Sequence, residues 1–108
     1  GSLGTLVHNS YPGFADDLVQ SALRPSRAGS QTSRGIQSLS KKIGRGSTKF
    51  GIERTDAAAE KIIREILDDT QTAITRPRGV DIRDSSGRGV RITDDLFDTF
   101  LEPGGMTY

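Results

Sequence analysis

The sequence predicts an α+β domain in which N-terminal helices pack on a small antiparallel β-sheet. Three observations carry that reading. Apolar residues recur every three or four positions up to Leu67, then alternate with polar ones from Thr72 onward. Gly, Pro, Asp and Ser punctuate the second half at the short intervals that hairpins need. The 108 residues, 32% of them hydrophobic, suffice for one modest core. The expected organisation is a single domain. Residues 1–33 form an irregular N-terminal segment with one helix and a linker, and residues 34–108 the compact part.

Residues 1–13 read as irregular, with "NSYPG" a turn signal. In 14–24, Phe14, Leu18, Ala22 and Leu23 share a helical face, and Pro25 ends it. A polar linker covers 25–33. Ile36, Leu39 and Ile43 then repeat at helical spacing with basic residues opposite, and Gly44 is the stop. "RGSTKFG" (45–51) reads as a basic, Gly-rich loop or the edge of a short strand. The strongest helix follows. Thr55 is its N-cap, Asp56 favours its first turn, and Ala59, Ile62, Ile63, Ile66 and Leu67 form its apolar stripe. Glu60–Arg64 and Lys61–Glu65 are i,i+4 pairs on its wet side.

The stretch 72–76 is a strand, with Pro77 denying a ladder donor at its end. Residues 79–93 form a hairpin whose register follows from packing, because directly opposed residues share a face. Pairing Val80 with Ile92 and Ile82 with Val90 gathers the apolar side chains. It leaves a loop of Ser85, Ser86 and Gly87, with Gly87 where positive φ is needed. Asp81, Arg83, Arg91 and Thr93 then form a polar platform on the other face. Leu96, Phe97, Phe100 and Leu101 fit a helical turn or a strand; a strand is expected, since the hairpin needs a neighbour.

The net charge of +1 conceals segregation. Residues 24–54 carry eight basic residues against Glu53 alone, and 71–93 carry five arginines against two aspartates. Such separation points to a polyanionic partner more than the total does, although a solvated mixed surface explains it too. There is no cysteine and one histidine, so no disulfide and no zinc-thiolate site is expected, and no cofactor fingerprint occurs. "GRGSTKFG" lacks the Gly-Lys-Ser/Thr order of a phosphate loop. No apolar run is long enough to span a bilayer.

Metal-free RNA cleavage asks little of a protein. The ribose 2′-hydroxyl attacks, and side chains supply a base, an acid and cations for the developing phosphorane charge. Lys49, between Arg45 and Arg54, is crowded by like charge and is a candidate proton carrier; the bland alternative is a surface cation. His8 titrates near neutrality without help and is a candidate catalytic residue, or else an incidental loop residue. Arg91 and Thr93 complete the catalytic candidates. Arg45, Thr48, Arg54, Arg76, Arg78, Arg83 and Arg88 are the expected RNA-binding residues.

From "STKFGI" through "AAAEKIIREIL" to "VDIRDSSGRGVRI" and "LFDTFLEP", the chain resembles the C-terminal toxin domains of contact-dependent growth inhibition and Rhs polymorphic toxins. The type is the barnase–EndoU–colicin–RelE-like (BECR) ribonuclease. The resemblance covers roughly residues 47–103. It implies tRNA or another structured RNA as substrate, a cognate immunity protein, and in some cases a host activating factor. It also implies delivery from a larger secreted or cell-surface protein into a target-cell cytoplasm. The opening Gly-Ser pair reads as a cloning scar before a piece of such a protein. The resemblance implicates Lys49, Arg91 and Thr93. Many relatives place a histidine near the Lys49 loop and this chain has none there, so the general acid and base stay unassigned. Two other functions remain open from the sequence: a non-catalytic nucleic-acid-binding module, and a toxin acting on a nicotinamide dinucleotide.

Overall fold

The computed structural model describes residues 14–103, so His8 lies outside the described residues. Three helices precede a four-stranded antiparallel sheet of order β1-β2-β3-β4, an α+β arrangement. The helices are α1 (Phe14–Ala22), α2 (Arg34–Gly44) and α3 (Asp56–Asp68). The strands are β1 (Thr70–Arg76), β2 (Gly79–Asp84), β3 (Gly89–Thr93) and β4 (Leu96–Leu101). No described helix is long and apolar enough to cross a membrane.

Each helix begins where its capping chemistry allows. The Ser33 side chain accepts from the Ile36 N–H to start α2, and Thr55 accepts from Ala58 N–H to start α3. Ser33 also donates to Asp56 at 2.7 Å, which ties the two helix starts together. The α3 stripe of Ala59, Ile62, Ile63, Ile66 and Leu67 is buried throughout. Glu60 pairs with Arg64 at 3.0 Å, but Glu65 turns to Arg88 instead of Lys61. Leu18, Val19 and Ala22 of α1 join the same core. The compact unit therefore includes α1 and extends N-terminally past residue 34.

The sheet's core face carries Ile82, Val90, Ile92, Phe97 and Phe100, all buried. The β2–β3 register pairs Val80 with Ile92, Asp81 with Arg91 and Ile82 with Val90. Gly87 closes the loop at φ +90°, a conformation that glycine adopts without steric cost. In β4 the register slips: Arg91 faces Thr99 while Ile92 faces Phe97, leaving Asp98 as an inserted bulge residue. The bulge lets Phe97 and Phe100, three apart, both face the core.

The outer edge of β4 is sealed by side chains from two helices. Ser21 of α1 accepts the Phe97 N–H at 2.9 Å, and Ser38 of α2 accepts the Phe100 N–H at 2.8 Å. A two-residue turn, Asp94-Asp95, joins β3 to β4 with φ of +54° and +64°. Left-handed backbone in consecutive non-glycine residues is strained, and glycine relieves it. Asp95→Gly, which keeps the Asp94–Arg78 pair, is expected to add about 0.5–1 kcal/mol of stability. A higher denaturant midpoint at unchanged slope is the readout.

Candidate nucleic-acid interface

The polar face of the β2–β3 hairpin, the β4 bulge and the last turn of α2 together border an open hollow of about 490 Å3. Lys42, Arg83, Arg91, Thr99 and Glu102 line it. Lys42 follows Leu39 by three residues, so it falls at the edge of the apolar stripe of α2, and it is only 8% exposed. A cation in the last turn also suits the helix dipole. Its Nζ lies 3.5 Å from Glu102 Oε1, and Arg45 Nη1 donates to the same oxygen at 2.8 Å.

The arginines reach the hollow by different means. Arg83 crosses β3 over Gly89, where any Cβ would stand 2.4 Å from the Ile82 carbonyl oxygen and 2.8 Å from the Arg83 Cγ, so this position requires glycine. Its Nη1 donates to the carbonyls of Gly87 (2.8 Å) and Glu102 (3.0 Å). Arg91 forms a two-pronged pair with Asp81, Nε to Oδ1 at 3.0 Å and Nη2 to Oδ2 at 3.1 Å. Arg91 Nη1 makes no hydrogen bond to the described residues. Opposite it, the Thr99 hydroxyl lies 2.8 Å from that of Ser38.

These contacts set the protonation states. The hydrogen bond from Arg45, with the charges of Lys42 and Arg45, outweighs burial and holds the Glu102 carboxyl below the usual range. The hydrogen bond to Asp81 likewise raises Arg91 above its ordinary value. The hollow is thus lined by one carboxylate, Glu102, and three cations, Lys42, Arg83 and Arg91; Arg45 bonds Glu102 from beside it, and Asp81 offsets part of the charge of Arg91. The chain matches no family model, no curated protein and no solved structure. Functional argument therefore rests on this geometry and on the residues.

The structure gathers some of the residues expected from sequence and scatters others. Arg83 and Arg91 line the hollow, and Arg45 reaches it from outside the lining through its bond to Glu102. Arg76 sits beside them, 3.5 Å from Asp81. Thr93 is on the same sheet face, but its hydroxyl donates to Asp98 at 2.9 Å and it does not line the hollow. Lys49, Thr48 and Arg54 are exposed in the α2–α3 connection, outside the lining. Arg78 is engaged by Asp94 at the far turn. Arg88 faces the core side instead, bonded to Asp84 (2.7 Å), Glu65 (3.0 Å) and the Lys49 carbonyl (3.2 Å). Burial works against its charge, and the Asp84 and Glu65 hydrogen bonds overcome that and raise its pKa. Its task is to pin the hairpin to α3.

Lys42, Thr99 and Glu102 were not among the residues singled out from sequence. The one local hint was the position of Lys42 next to Leu39. Among the described residues no group of three or more His, Cys, Asp or Glu could hold a metal ion. A second large hollow, about 440 Å3 between Phe50, Ile52 and α3, is lined by Lys61 and Arg88 as well as Glu53 and Glu65, so its charges balance and it lacks the cationic excess of the Glu102 hollow.

Proposed function

We propose that this domain is a ribonuclease toxin that cleaves tRNA or another structured RNA through attack by the 2′-hydroxyl, and that an immunity protein blocks it. The observation that carries the reading is the ionised Glu102 set between Lys42 and Arg45 in a hollow also lined by Arg83 and Arg91. A carboxylate there can take the 2′-hydroxyl proton. The fixed cations can stabilise the phosphorane oxygens, and the ammonium of Lys42 can donate toward the departing 5′-oxygen. No metal enters this sequence of steps. The resemblance to polymorphic-toxin ribonucleases supplies the biological setting: a larger delivering protein, action in a target-cell cytoplasm, and a cognate inhibitor that presents acidic groups to this face.

Incubation with total tRNA in EDTA tests the proposal. Discrete fragments ending in 2′,3′-cyclic phosphate are expected; intact RNA overturns it, and RNA that is intact but bound favours a non-catalytic binding module. The geometry also separates two lysines. Lys49→Ala is expected to keep the cleavage rate within several-fold, because Lys49 lies outside the hollow. Lys42→Ala removes a preorganised donor and is expected to slow cleavage by about 10²-fold or more. Side-by-side rates for the two variants decide between the loop and the hollow as the site.

A further inference from the structure

Beside the Glu102 hollow lies another of about 290 Å3, and Thr99 lines both. Its walls are Arg34, Gln37, Ser38 and Lys41 of α2 together with Asp98 of the β4 bulge. Residues three and four apart share a helix face, so Arg34, Ser38, Lys41 and Arg45 form one stripe. That stripe runs alongside both hollows for about 16 Å. Neither Arg34 nor Lys41 has an ion-pair partner among the described residues. Asp98 accepts from the Thr93 hydroxyl at one oxygen and keeps its charge, which the two cations Arg34 and Lys41 outnumber.

Arg34 is also placed against its own helix. It is the first residue of α2, where the dipole disfavours a cation, and no acid stands in that first turn. We infer that the RNA strand is held at two places along α2, with the bond to be cut in the Glu102 hollow and a flanking phosphate between Arg34 and Lys41. This rests on the ribonuclease reading and adds a path for the substrate backbone.

The test uses Glu102→Gln protein, which should hold RNA uncut, and fluorescently end-labelled total tRNA. Binding is measured across a salt series. Adding Arg34→Ala and Lys41→Ala should reduce the slope of log affinity against log salt by about 0.7–0.9, the value for one phosphate no longer neutralised. The melting temperature should not fall, since both side chains are exposed and unpaired among the described residues. A control with Arg24→Ala and Arg27→Ala, exposed and outside both hollows, should keep the parental slope. If the Glu102→Gln protein binds no tRNA at all, the ribonuclease reading falls and takes this inference with it. If it binds and the Arg34/Lys41 pair leaves the slope unchanged, the inference alone is overturned. An equal loss in the Arg24/Arg27 control also overturns it, because a diffuse positive field would then explain binding without a track.

Discussion

Replacing Glu102 with glutamine is expected to slow RNA cleavage by about 10²–10⁴-fold, the usual contribution of a positioned general base. The amide keeps the shape and can still accept from Arg45, and the Glu102 carbonyl still receives Arg83. The fold should therefore survive, with a modest loss of stability because Lys42 loses its counter-charge. In the parent, pH adds a second readout. The folded protein holds Glu102 below its unfolded pKa. Its carboxylate thus stabilises the fold above the unfolded value, and that contribution is lost as pH falls through the folded one. The same depression places the acid limb of kcat/KM below the ordinary carboxylate range. A bound phosphate competes for Lys42 and Arg45 and adds negative charge, so the acid limb of kcat should lie higher than that of kcat/KM. An unchanged cleavage rate in Glu102→Gln removes this carboxylate from the chemistry.

Arg91→Ala is expected to cost about 10²–10³-fold in cleavage, as for loss of one preorganised oxyanion donor. The rival account is that Arg91 serves only as the partner of Asp81, and the two-pronged geometry makes that account concrete. The two differ in what Asp81→Ala does. If Asp81 is an orienting group on an otherwise functional cation, its removal lowers stability by at most about 1 kcal/mol, a cross-strand pair's worth. Cleavage then persists, because Arg83 and Arg91 remain in the hollow. Equal and mild effects of the two alanines on stability, with cleavage intact in both, would reduce Arg91 to a structural residue. Arg91→Lys should rescue poorly: an ammonium cannot bond Asp81 with two prongs and still present a further donor.

Several elements could be read in the sequence because the relevant physics is local. The α3 stripe, its Thr55 cap and the β2–β3 register all follow from neighbours in the chain or directly across a turn. β4 was ambiguous for a specific reason. The bulge at Asp98 spaces Phe97 and Phe100 three apart, which imitates a helical repeat inside a strand. Phe50 looked like part of a basic loop, yet it is 2% exposed and its ring packs on Phe100 at 5.5 Å. The candidate site was only half visible. Arg83 and Arg91 could be placed on the polar face by register alone. Glu102 meets Lys42 and Arg45 across sixty and fifty-seven positions of chain, and no periodicity encodes an encounter between a helix end and the residue after an edge strand.

The serine seal on β4 has a consequence in time. Every strand pair in this meander joins sequence neighbours, so the sheet can close hairpin by hairpin on the scale of about 1–10 μs each. The bonds that finish its edge are the opposite kind: Ser21 reaches Phe97 across 76 residues and Ser38 reaches Phe100 across 62. Closing such long loops carries an entropic cost that only helix docking offsets. Before α1 and α2 arrive, β4 presents unpaired N–H groups to any extended chain nearby. The nascent or refolding domain is therefore most vulnerable to adding a foreign strand in that interval, and docking of the two helices ends it.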